Sequence, residues 1–126
     1  MNPLAVVNPS SMLLVAAGGG VGCMLRFLAI KQVVKLNPTM FPLGTMLVNI
    51  VGSLLIGWML AKYGGDHSTR AFFVSGMLGG FTTFSAFSWD ALQLLQRGQF
   101  SQAMLYVGGS VILSVGAAAL GYMAGR

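Results

Sequence analysis

Carboxylates are almost missing from this chain. Among 126 residues there are two, and charged side chains of both signs make up only 7%. A soluble domain carries roughly a quarter charged residues, so this composition cannot clothe a water-facing surface. Hydrophobic residues reach 56%, and lipid is the solvent that tolerates such an exterior. Cys23 is alone, which excludes an intramolecular disulfide and a cysteine metal site. His67 is also alone, in a polar turn where a solvated ring is expected. No His, Cys or paired carboxylate supplies a nucleophile with a base, so an enzyme is not expected. The start of the chain lacks a basic region followed by a cleavage signal, so no removable signal peptide is expected.

The formal net charge is +5, yet nucleic acid is excluded as a partner. The basic residues Arg26, Lys31, Lys35, Lys62, Arg70, Arg97 and Arg126 form no cluster or stripe that could track phosphates. They punctuate apolar segments instead, as anchors at membrane ends do.

What the chain does have is four long apolar segments within the length of a single domain. The first spans about 12–34 and is apolar except for a glycine cluster and Arg26. A loop containing Pro38 and Pro42 follows, because the residue before proline is pushed away from helix. The second spans about 43–63, with Asn49 as its one strongly polar side chain near the middle. A polar turn from Gly64 to Arg70 leads to the third, about 71–97, with Gly98 as a C-cap. The fourth covers about 102–123. Each meets or approaches the roughly 20 residues that span hydrocarbon. The fold class expected is an all-α membrane protein with four transmembrane helices.

Four spans put both termini on one face. That face carries Lys62, Arg70 and Arg126, and the other carries Lys31, Lys35 and Arg97, with Arg26 nearer the membrane. This balance does not choose an orientation. A chain without charge bias can insert both ways, and two copies in opposite orientations can pair about a two-fold axis in the membrane plane.

The third segment holds the run Gly79-Gly80-Phe81-Thr82-Thr83-Phe84-Ser85-Ala86-Phe87-Ser88 near its middle. Adjacent glycines and β-branched threonines weaken a helix there, so a break is expected over 79–83. Irregular backbone at such depth persists where it is buried, lines water or binds an ion, and its freed carbonyls suit a hard cation. A glycine-rich packing contact is the other reading. Phe84 and Phe87 share one helical face, and a phenyl edge is electropositive. Such a pair serves either as core or as contact for a small anion. Asn49 offers a neutral amide donor at mid-membrane, with Thr45 one turn earlier. On the fourth segment Tyr106, Ser110 and Ser114 recur at every fourth position, a hydroxyl stripe on an otherwise apolar helix. Arg26 either snorkels to the interface or draws anions into a vestibule. Asp90 lies in the membrane margin, with Arg26 as a candidate partner. Glycine pairs four apart, such as Gly18 with Gly22 and Gly121 with Gly125, allow close helix approach in lipid.

In order along the chain, Gly18-Gly19-Gly20-Val21-Gly22 followed by Arg26, Gly44-Thr45-Met46-Leu47-Val48-Asn49 with Gly52, and Gly79 through Phe87 together resemble the Fluc (CrcB) family of fluoride channels. The resemblance covers essentially the whole chain. It implies a multi-pass protein of the cell inner (plasma) membrane that exports fluoride passively and so protects the cytoplasm. It further implies an antiparallel, dual-topology homodimer with two pores and a third helix broken near its middle. Phe84, Phe87 and Ser85 would line each pore, and Asn49 would donate to fluoride. Thr45, Tyr106, Ser110 and Ser114 would form the polar track, and Arg26 would favour anions at the vestibule. The backbone carbonyls of Gly79 and Thr82 from both subunits would hold a structural Na+ at the dimer centre. Ala86 stands where the family often has threonine, and Asp90 where glutamate is more usual.

Two other classes share parts of this pattern. A small multidrug transporter is also short, four-spanning and often of dual topology, but it needs a carboxylate inside its first span, and segment 12–34 has none. A membrane scaffold subunit would account for the glycines, but not for a mid-span Asn together with the aromatic-threonine run.

Overall fold

The structure is a computed structural model that describes residues 7–126. The start of the chain, where no signal peptide is expected, lies largely outside the described residues. Four helices are long and apolar enough to cross a membrane: α1 (Pro9–Leu36), α2 (Leu43–Tyr63), α3 (His67–Gln96) and α4 (Phe100–Gly125). No strand occurs among the described residues.

Helix α1 begins earlier than the apolar run predicts, and its cap explains why. The Asn8 side chain accepts the Ser11 N–H at 2.9 Å, and Pro9 occupies the first turn, where its missing N–H costs nothing. At the far end of α3, Gly98 adopts φ 75. That left-handed position lets Gly98 and Gln99 return their N–H groups to Leu95 and Leu94 at 3.0 and 2.9 Å, closing the helix as a glycine C-cap does. Asp66 caps the start of α3 by accepting from the Thr69 hydroxyl and backbone N–H. Those two hydrogen bonds hold its carboxyl below the ordinary value.

Helix α2 packs along α4, and α1 packs along the first half of α3. Backbone proximity governs both contacts. A Cβ placed on Gly18 would collide with the Phe72 carbonyl, and one on Gly22 with the Met77 carbonyl. Only residues without side chains permit such approach, as the four-residue spacing predicts.

The first half of α3 carries a deviation that the sequence does not signal: residues Arg70–Leu78 are wound as a π-helix. Gly79, Gly80 and Phe81, placed by the sequence within a break over 79–83, keep helical backbone. The reason is packing, since Gly80 faces the Gly19 carbonyl and Cys23 closely enough to exclude a side chain. The departure from helix falls on two residues. Thr82 takes φ −88, ψ 155 and Thr83 takes φ −151, ψ 122, and helix resumes at Phe84.

A small core of Met46, Leu94, Ala103 and Tyr106 joins α2, α3 and α4, with Phe41, Ile50, Phe87 and Ala91 packed against it. Elsewhere large apolar side chains face outward along all four helices; Leu13 is 72% exposed and Ile112 71%. Burying one such side chain is worth about 1.5–3 kcal/mol, so a continuous apolar exterior demands lipid or a partner surface. Lys62 lies over Trp58 at 5.3 Å and Lys31 over Phe27 at 5.5 Å, near opposite ends of the bundle, where amphipathic side chains anchor a membrane protein.

His67 is not simply solvated. It is half-buried, and its Nε2 pairs with the Ser11 hydroxyl at 2.7 Å. The start of α1 and the start of α3 are thereby tied together.

Candidate functional site

The site is organised around the two extended residues of α3. Asn49, midway along α2, reaches across and pairs with the Thr83 backbone at both ends. Its Nδ2 donates to the Thr83 carbonyl at 3.0 Å, and its Oδ1 accepts the Thr83 N–H at 2.8 Å. The Thr83 hydroxyl then caps the second half of α3 by accepting the Ala86 N–H at 3.2 Å. Thr82 turns its own hydroxyl back to the Leu78 carbonyl at 3.0 Å.

These diversions have a consequence for the carbonyls. In a continuous helix the Thr83 N–H would go to Gly79 and the Ala86 N–H to Thr82. Here the first goes to Asn49 and the second to the Thr83 hydroxyl. The carbonyls of Gly79 and Thr82 are left without their helical donors. Neutral oxygens of this kind are suitable ligands for a hard cation.

Beside this junction lies a cavity of about 330 Å³ between α2, α3 and α4. Asn49 and Ser53 from α2, Phe84 and Phe87 from α3, and Ser110 and Ser114 from α4 line it. The Phe84 and Phe87 rings are 5.5 Å apart, and Phe87 stacks on Tyr106 at 5.2 Å. Ser110 is 4% exposed, and its hydroxyl has no hydrogen-bond partner among the described residues. A buried hydroxyl without a partner costs stability, and Ser110 is one of the residues that line the cavity.

The remaining site residues of the sequence reading fall elsewhere. Tyr106 is fully buried and donates to Asp90 Oδ2 at 3.2 Å. Asp90 thus finds its partner on α4 and not in Arg26, which donates to the Cys23 sulfur at 3.8 Å. Thr45 and Asp90 line a separate cavity of about 160 Å³ at the α1–α2 loop. Ser85 is exposed, and its hydroxyl approaches the Thr83 hydroxyl at 3.3 Å. Arg26 sits on α1, outside both cavities. Two contributors were missed. Ser53 completes the series Thr45, Asn49, Ser53 at every fourth position of α2, a spacing open to inspection in the sequence. Thr83 acts through its backbone, which no residue type announces.

Comparison with known proteins identifies relatives over nearly the whole chain. A family model described as "CrcB-like protein, Camphor Resistance (CrcB)" matches residues 13–122. A protein of Ruegeria sp. (strain TM1040) named "Fluoride-specific ion channel FluC" is 48% identical over 119 residues, covering 92% of this chain and 94% of its own. A protein of the same name from Cereibacter sphaeroides (strain ATCC 17029 / ATH 2.4.9) is 49% identical, covering 92% and 91%. "Fluoride-specific ion channel FluC 1" of Geobacillus kaustophilus (strain HTA426) is 39% identical, covering 90% and 97%.

Proposed function

The chain belongs to the CrcB family, and from that premise we propose that it is a fluoride-specific channel of the plasma membrane whose conduction path runs through the cavity beside Thr83. It is a multi-pass membrane protein, with four helices able to span the bilayer. The multidrug-transporter reading has no support, since no carboxylate lies in α1. The observation that carries the proposal is the convergence of Asn49, the Phe84 and Phe87 rings and the unpartnered Ser110 hydroxyl on one cavity.

The chemistry suits fluoride. This anion holds water strongly, so a pore must replace hydration with many close, neutral donors. An amide N–H, serine hydroxyls and phenyl edges supply such contacts in series without the trapping that a lysine would impose. Asn49 has one amide hydrogen beyond the one given to Thr83. The N–H groups of Phe84 and Ser85 open the second half of α3 and add the positive end of its dipole at the same depth.

We read the extended pair Thr82–Thr83 as a functional break in the third helix. The freed carbonyls of Gly79 and Thr82 are the right chemistry for a structural Na+, which would supply fixed positive charge near an anion path. Two protomers in opposite orientations would each contribute such a pair, forming an antiparallel homodimer. The near balance of basic residues at the two membrane faces supports this reading.

Fluoride efflux from liposomes, followed with a selective electrode, tests the proposal. The parent protein is expected to release fluoride well above empty vesicles, and Asn49→Ser and Phe84→Ile are each expected to lower the rate at least about tenfold, which is about 1.4 kcal/mol in barrier height. Unchanged flux in both variants would remove the cavity from the conduction path while leaving the fold intact.

A further inference from the structure

A larger cavity lies at the other end of α3. It measures about 440 Å³ and separates the start of α1 from the start of α3. Ser11, His67 and Arg70 stand at its polar end, and Val15, Ala16 and Ala71 continue it toward the bilayer interior. Val7 and Met12 join the outer end and Ser75 the inner one, so the wall is mostly apolar with its one full charge, Arg70, near the membrane face. An apolar wall beside a cation suits an amphiphile entering from the membrane plane.

The polar end has excess positive charge. Arg70 donates one hydrogen bond, from Nη1 to the Gly64 carbonyl at 3.2 Å, out of five N–H groups on a guanidinium. Neither acid of the chain balances it. The Asp66 carboxyl is taken up by Thr69, and Asp90 receives Tyr106 and lines a different cavity. The His67 ring is fixed by Ser11 through Nε2, which leaves Nδ1 for another partner. A guanidinium fork recognises phosphate oxygens in pairs, and basic pockets between transmembrane helices suit acidic head groups.

We propose that this cleft binds an anionic phospholipid, with its phosphate against Arg70 and His67 and one acyl chain lying along the outer groove where α1 meets the start of the π-helical stretch of α3. A zwitterionic head group would bring its own ammonium toward Arg70 and lose the advantage. The bound lipid would cover the cleft beside the Ser11–His67 contact that ties the two helix starts together. The site lies apart from the conduction cavity, and lipid occupancy, not fluoride flux, measures it.

The test uses purified full-length protein in neutral detergent, offered phosphatidylglycerol or phosphatidylcholine with identical chains. Retained lipid is counted by native mass spectrometry. The parent is expected to retain phosphatidylglycerol about fivefold more than phosphatidylcholine, the ratio that one basic residue near an anionic head group provides. Arg70→Gln is expected to abolish that preference, and Arg97→Gln, at the opposite membrane face, to preserve it. Equal retention of the two lipids by the parent, or an unchanged preference in Arg70→Gln, overturns the proposal. Displacement of phosphatidylglycerol by millimolar inorganic phosphate that itself stays bound would identify a free-phosphate site and overturn it too. Should Arg70→Gln fail to fold, Met12→Trp places a fluorophore in the cleft. Its emission, after subtraction of the parent signal, is expected to be quenched more by brominated phosphatidylglycerol than by brominated phosphatidylcholine, and equal quenching would rule the site out.

Discussion

If the proposed path is right, Ser110 is a residue of the cavity at which folding and conduction can be measured apart. Its hydroxyl is buried and unpartnered, so it contributes nothing to the fold and imposes a desolvation cost. Ser110→Ala is therefore expected to raise thermal stability in detergent, by up to about 1–3 kcal/mol, the cost of leaving such a group unsatisfied. The same change is expected to slow fluoride efflux. Opposite signs in the two measurements would assign the hydroxyl to the permeating ion, whereas a loss of stability would show that a protein group satisfies it. Asn49 differs in that its amide orders the Thr83 backbone at 3.0 and 2.8 Å while it also lines the cavity, so on the proposed path it would serve both purposes. Phe84 is 78% exposed, so its ring adds little to the packing of the chain and is available to an ion or a partner.

At the scale of helices, backbone approach decides which glycines matter. On one turn of α1, Gly22 leaves no room for a Cβ against the Met77 carbonyl, while Gly20 has nothing within 4 Å. Gly22→Ala is expected to force α1 from α3 and cost about 1–3 kcal/mol, as overpacking does. Gly20→Ala is expected to be neutral or to stabilise by up to about 1 kcal/mol through helix propensity. Melting temperatures of the two variants, compared side by side, check this assignment. Both glycines belong to one run in the sequence, and nothing local distinguishes them; only the partner helix does. The same limit recurs elsewhere. Four spans, the C-cap at Gly98 and the mid-span Asn49 were legible, because hydropathy, turn chemistry and a lone polar side chain are local signals. The π-helical stretch Arg70–Leu78 was not, since no residue type or spacing local to it marks the wider winding. The glycines in the 79–83 run suggested a break by low propensity, yet Gly79 and Gly80 are helical, Gly80 in close packing on α1, and the extended residues are the two threonines. Helix propensity is a weak prior that tertiary contact overrides. The pairing of Tyr106 with Asp90, and not of Arg26, was likewise invisible, because it joins α3 to α4 across the bundle.

For the whole molecule, the distribution of charge bears on how two copies meet. One membrane face carries Lys62, Arg70 and Arg126 and the other Lys31, Lys35 and Arg97, a balance at which orientation responds to a single added charge. Gly65 lies in the polar turn on the first face with open space around it, and Leu36 ends α1 on the second and is 75% exposed. A lysine at either position disturbs no packing, and at Leu36 it also suits the negative end of the α1 dipole. A C-terminal topology reporter is expected to find the parent in both orientations, Gly65→Lys with its termini held in the cytoplasm and Leu36→Lys reversed. If the functional unit is an antiparallel pair, each variant expressed alone is expected to lose most fluoride efflux, and the two expressed together to recover it. Efflux from Gly65→Lys alone at the parent rate, with the reporter showing a single orientation, would mean that parallel or single chains conduct. Recovery on co-expression has no explanation in one chain, because neither variant alters the cavity beside Thr83; it requires each orientation to supply what the other lacks.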